Sequence, residues 1–167
     1  MSLSMYDASV PVFLQGLRGL KTVLAKAAAH AEAKKIDPSV LLQARLYPDM
    51  FPLTRQVQIA GDFAKGGAGR LAGAELPVFE DVETSFEELQ TRVAKTVAFI
   101  EGLSAAAFEG SETRPVSLNR RGEVVSFTGK DYLLFQAQPN FWFHVTTAYA
   151  ILRHNGVELS KSDYMGA

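Results

Sequence analysis

The stretch Gln138–Gly156, QPNFWFHVTTAYAILRHNG, decides how the whole chain is read. Pro139 opens it and Asn155-Gly156 closes it. A proline lacks an N–H that would have no partner in a first helical turn, and a glycine accepts the positive φ of a helix end. Between these signals Phe141, Trp142, Phe143, Val145, Ala148, Tyr149, Ile151 and Leu152 cover most of the circumference. That pattern is a buried central helix, too often interrupted by polar residues to span a membrane. Asn140, His144 and Thr147 recur at i, i+4 and i+7 and therefore share one inward stripe. Buried polar groups must find partners, which makes this stripe the candidate site.

Working outward, the pattern elsewhere is also helical. Val10, Phe13, Leu17, Leu20, Leu24 and Ala31 place a first helix over residues 9–34, with Pro11 in its first turn and His30 solvated near its end. Residues 36–52 form a proline-punctuated connector with a short helical turn at 39–44. Its Leu41, Leu42, Leu46, Tyr47, Met50 and Phe51 are expected to cap one end of the core. A second helix over 52–73 contains Gly61, Gly66, Gly67, Gly69 and Gly73. No strand leads into the GGAGR run, so close helix packing explains it better than a phosphate loop. Gln58 and Asp62 form an i, i+4 pair on this helix. Thr84-Ser85-Phe86-Glu87 reads as a capping box with Thr84 at the cap, opening a third helix to about Leu103. On that helix Phe86, Leu89, Val93, Val97 and Ile100 form the buried stripe, and Glu88 with Arg92 reads as a surface pair. The period changes over 114–128. Val116 and Leu118 alternate, Asn119–Gly122 is turn chemistry, and Val124, Val125 and Phe127 resume the apolar pattern, giving a β-hairpin with Arg114, Arg120 and Arg121 solvating it. A helical turn from Thr128 or Gly129 leads to the central helix. The tail from Val157 to Ala167 has no clear period.

A chain of 167 residues, 47% hydrophobic and 21% charged, suits one domain with one core. Its net charge of −1, from 17 basic and 18 acidic residues, offers no global field for nucleic acid or an anionic membrane. The absence of cysteine excludes disulfides, thiolate metal sites and cysteine nucleophiles, and is compatible with a cytoplasmic protein. No signal-peptide pattern is present at the N-terminus. Four long helical segments and one hairpin before the last of them predict an all-α four-helix bundle.

PLTRQVQIAGDFAKG on the second helix and NFWFHVTTAYAILRHNGVELSKSDYMG at the end carry a resemblance that covers essentially the whole chain. The sequence resembles an uncharacterised-domain family within the DinB/YfiT-like superfamily of metal-dependent four-helix bundles. That resemblance implies a three-histidine metal site, with one histidine on the second helix and an HxxxH pair on the last, followed by an LRxxG-like ending. Leu152-Arg153-His154-Asn155-Gly156 matches the ending, and His144 falls at the second position of the pair. Asn140 stands at the first position. On the second helix Gln58, or else Gln56, stands nearest the remaining one. Amides are poor ligands for zinc or nickel. His154 lies well round the helix from His144 and does not complete the set.

Three accounts of His144 follow, in decreasing order of preference. The first is a buried imidazole satisfied by Asn140, Gln58 or water. The second is a small-molecule pocket formed by Gln58, Asp62, Asn140, His144 and Thr147 in a degenerate metal site. The third is a residual hydrolase or transferase with His144 as general base and Asp62 orienting it. The expected protein is thus a non-catalytic or small-molecule-binding bundle that needs no cofactor. The alternative is a metal-dependent, thiol-using transferase or hydrolase holding zinc or nickel through His144. The resemblance also implies a homodimer, with Tyr47–Phe51 contributing to its interface.

Overall fold

The computed structural model describes residues 3–166 and is mostly helical; Met1, Ser2 and Ala167 of the expected domain lie outside the described residues. Four long helices carry it: α1 (Val10–Lys34), α3 (Leu53–Ala72), α4 (Phe86–Glu101) and α6 (Gln138–His154), with α2 (Pro38–Leu42) a single turn between the first two. A hairpin of β1 (Pro115–Arg120) and β2 (Glu123–Thr128) precedes α5 (Gly129–Tyr132), and α7 (Lys161–Met165) closes the chain. α3 packs most extensively on α6 and next on α4, while α1 covers α4, α6 and α7. One contiguous apolar cluster, including Phe13, Leu17, Leu20, Val57, Leu71, Leu89, Ile100, Phe141 and Ile151, fills the space between them.

The glycines of α3 permit this closeness. A Cβ at Gly67 would sit 2.6 Å from Phe13 and 3.1 Å from the Ala137 Cβ, so a side chain there has no room. Gly73 serves the helix end rather than a packing face. It ends the helix at φ 67°, in the left-handed region that favours glycine.

The path into α6 departs from expectation. Pro139 does not open a helix: α5, a π-helical turn at Leu133–Ala137 and α6 run on without a break. The widened turn precedes the proline, whose ring cannot donate to the carbonyl one turn back. Asn140 Nδ2 donates to the Gln136 carbonyl at 2.7 Å in this same turn. Nor is α6 buried all round, for Phe143 is 56% exposed and Trp142 and Tyr149 are half-buried.

Other local expectations shift in instructive ways. The capping box exists one residue later than read, with Ser85 at the cap and Glu88 returning to the backbone at Ser85. Glu88 is therefore occupied at the helix start, and Arg92 is not its surface partner; Arg92 is buried. Arg114 does not solvate the hairpin but turns inward, donating to the carbonyls of Leu71 and Ala107. The hairpin turn uses Arg121 at φ 53° and Gly122 at φ 90°, a two-residue loop whose twist matches its strands. Leu41 and Leu42 cap the core, whereas Leu46, Tyr47 and Phe51 of the same connector stay exposed. The tail contains α7, capped by Ser160 and Asp163 and clamped to α1 by Lys26–Asp163 at 2.7 Å.

Candidate functional site

His144 lies on the face of α6 that meets α3, 8% exposed. Its Nδ1 stands 2.6 Å from Gln56 Oε1. Gln56 is fixed in turn, because its Nε2 donates to the Phe51 carbonyl at 3.0 Å. The amide oxygen is left to face the imidazole, so Nδ1 carries the proton and Nε2 keeps the lone pair. Phe63 stacks on the ring with centroids 6.0 Å apart, and Phe143 meets it edge-on at 5.1 Å. Gln56 and Phe63 share a face of α3 because they are separated by two helical turns. Burial in this aromatic box, followed by the nearby Arg55 charge, lowers the His144 pKa from 6.5 to about 4. The imidazole is neutral at pH 7.

The other residues of the expected pocket are distributed differently. Gln58, two residues from Gln56 and hence on another face of α3, donates to Glu83 at 2.8 Å and accepts from Arg55 at 3.3 Å. Asp62 pairs with Arg92 and Lys65, each at 3.2 Å. Asn140 bonds to its own helix, as does Thr147, whose hydroxyl donates to the Phe143 carbonyl at 2.7 Å. The hydrogen-bonded partner of His144 is thus Gln56 rather than Gln58 or Asn140, and Asp62 serves an arginine rather than orienting the imidazole.

The centre of the second polar group is Arg92 on α4, 3% exposed rather than on the surface where its i, i+4 spacing from Glu88 would put it. It donates to Glu83 at 3.1 Å and to the Glu80 carbonyl at 3.0 Å, and it pairs with Asp81 at 2.9 Å. Burial, the largest influence on it, opposes its charge. Glu83, Asp62 and Asp81 outweigh burial and raise its pKa further. A cleft of about 620 Å³ opens beside this cluster, lined in part by Phe79, Val82, Glu87, Thr91 and Lys95. The signal for Arg92 was available: it lies between Leu89, Val93 and Thr96 on the inner face, opposite the acidic run Glu80-Asp81-Val82-Glu83.

A resident divalent ion fits neither place. Among the described residues no three His, Cys, Asp or Glu side chains converge as a metal-binding group. Around His144 the nearest recorded polar partner is an amide, and the Asp62 carboxylate is committed to two cations. Zinc or nickel needs imidazole, thiolate or carboxylate donors in larger number. The residues can hold a neutral imidazole in place; they do not supply a coordination shell.

A family model described as "Domain of unknown function (DUF1993)" matches residues 5–165. A crystal structure of a DinB family member protein from Shewanella denitrificans is similar at a TM-score of 0.90 and 46% sequence identity, covering 97% of this chain and 92% of that chain. No curated protein matches the chain. The expected kinship and the bundle with its hairpin before the last long helix are both borne out.

Proposed function

The chain belongs to the DUF1993 family, and we propose that it is a non-catalytic, small-molecule-binding bundle of the DinB type in which the metal position has become a structural hydrogen bond. The observation that carries this reading is the 2.6 Å contact between His144 Nδ1 and Gln56 Oε1 inside an aromatic box. An amide from α3 stands where a ligand would be required, and it satisfies the imidazole instead. The 620 Å³ cleft beside Arg92 supports a small polar ligand as the bound species, since charged side chains and the Phe79 ring converge there. No helix among the described residues is long and apolar enough to cross a membrane. With a near-neutral charge balance and no cysteine, this supports a cytoplasmic protein whose partners are neither nucleic acid nor membrane. The exposed Tyr47, Phe51 and Phe143 support a homodimer.

One feature favours the alternative, a metal-dependent transferase or hydrolase. A ligating histidine commonly donates its other ring N–H to an oxygen acceptor, and Gln56 offers one. Elemental analysis of untagged protein beside a His144→Ala control separates the two readings. The proposal expects no stoichiometric zinc, nickel or iron in either sample, even after incubation with divalent ions. Near-stoichiometric metal that disappears in the control would overturn it.

A further inference from the structure

The chain between α3 and α4, residues 74–85, has no regular secondary structure. Its ends are pinned. Leu76 packs where a Gly69 side chain would stand, and Ser85 enters the capping box of α4. The middle is held in another way. Val78 and Val82 point outward, 90% and 67% exposed, so little apolar surface glues this part to the bundle. Its acidic residues do so instead. Asp81 receives Arg55 at 2.5 Å and Arg92 at 2.9 Å. Glu83 receives Arg92 at 3.1 Å and Gln58 at 2.8 Å. The Phe79 ring lies 4.4 Å from Lys65 Nζ. The receiving groups on α3 are Arg55, Gln58 and Lys65, at i, i+3 and i+10 on one face; Asp62, on the same face, instead pairs with Arg92 and Lys65.

We propose that residues 76–83 are a strap latched over the α3–α4 groove by charge, with Arg92 as the latch, and that the strap lifts when the Asp81 and Glu83 charges are removed or screened. Two observations set this apart from an ordinary surface loop. The contacts on Asp81 are largely exposed and therefore open to screening by salt. Arg92, buried together with Gln58 and Lys65, is also incompletely satisfied, because its Nε is buried without a hydrogen-bond partner. A buried guanidinium depends on all its carboxylates together, so loss of one weakens the hold of the rest. Lifting the strap relieves the unpaired Nε through water. It also uncovers the buried Gln58 and Lys65 and opens the cleft beside Thr91 and Lys95, one wall of which is formed by Val78, Phe79, Val82 and Glu83 of the strap. The inference stands independently of whether His144 binds metal.

Native-state proteolysis with thermolysin, which cleaves before apolar residues, reads the strap directly at Val78, Phe79 and Val82. Rates are taken relative to a free peptide of the same sequence in the same buffer. In the Asp81→Asn/Glu83→Gln double variant, cleavage within the strap is expected to rise by about tenfold or more over wild type, with α3 and α4 uncut. High salt should accelerate the wild type several-fold and the double variant little. Glu87→Gln removes an acid that lines the cleft but makes no latch contact, and it should leave the rate unchanged. Equal rates in wild type and double variant would overturn the proposal. So would equal acceleration by Glu87→Gln, or cleavage that appears only together with cuts in α3 and α4, which would make the segment part of the core.

Discussion

Lowering the pH from 7 to 4 should drain stability from this fold through one residue, His144. In the unfolded chain its imidazole takes up a proton near pH 6.5. In the fold it resists down to about 4, first because it is buried and then because Arg55 is near. A base whose folded pKa is depressed contributes its full stability above the unfolded pKa. It loses that contribution as the pH falls, because the unfolded state alone binds the proton in between. The interval from 6.5 to about 4, at about 1.4 kcal/mol per pH unit, amounts to about 3 kcal/mol. Equilibrium urea unfolding measures it. With a slope of about 2 kcal/mol per molar urea, the midpoint should move down by roughly 1.5 M across that range. Other groups titrate too, so the decisive comparison is with His144→Leu, which has no proton to gain there. The variant is less stable at pH 7, since Gln56 Oε1 loses its donor, but its deficit relative to wild type should shrink steadily on acidification. Asp163 interferes little. Its pairing with Lys26 and its bonds to Ser160 lower its pKa to about 2, and its contribution is lost only below the ordinary carboxylate range. Parallel loss in wild type and variant would refute the buried, neutral imidazole.

Two further perturbations probe the packing that positions the site. Gly61→Ala meets nothing closer than Thr96 Oγ1 at 3.4 Å, so the gain in helix propensity, up to about 1 kcal/mol, should raise Tm by roughly 2–4 °C. Gly67→Ala drives a methyl into Phe13 and Ala137 and should lower Tm by at least as much, overpacking costing about 1–3 kcal/mol; thermal melts of both variants check the pair. Ser85→Ala should cost about 1 kcal/mol by removing the α4 cap, and Thr84→Ala less, which denaturant titrations of the two will distinguish.

The long helices were legible because periodicity over four or more turns reports a buried face whatever the partner. Short-range signals were less decisive. Proline at position 139 looked like a helix start because a proline in mid-helix is costly, yet a π-turn just ahead of it absorbs the disruption. Helix α7 is too short for a period. Its one local signal is the Ser160-x-x-Asp163 capping box, which marks a start without showing how far the helix runs. Glu88 and Arg92 have the spacing of a surface pair, but spacing fixes only which residues are neighbours on a helix, not whether that side meets solvent. The acidic strap that buries Arg92 is contributed by a segment without a pattern of its own. The choice between Gln56 and Gln58 had the same difficulty. Both lie on α3, and only the rotation of α3 against α6 determines which amide reaches His144. That rotation depends on Gly67 admitting Phe13 and Ala137, a three-element contact no single stretch encodes.

The state of the His144 ring itself tests the account most directly. Histidine-selective ¹⁵N labelling and NMR resolve which ring nitrogen carries the proton, before and after addition of equimolar zinc. The account predicts a neutral ring protonated at Nδ1 and bare at Nε2, unchanged as the pH is lowered through 6.5 and unmoved by zinc. A proton on Nε2, a titration midpoint at or above 6.5, or a zinc-induced shift of the ring nitrogens lost in Gln56→Ala would contradict it.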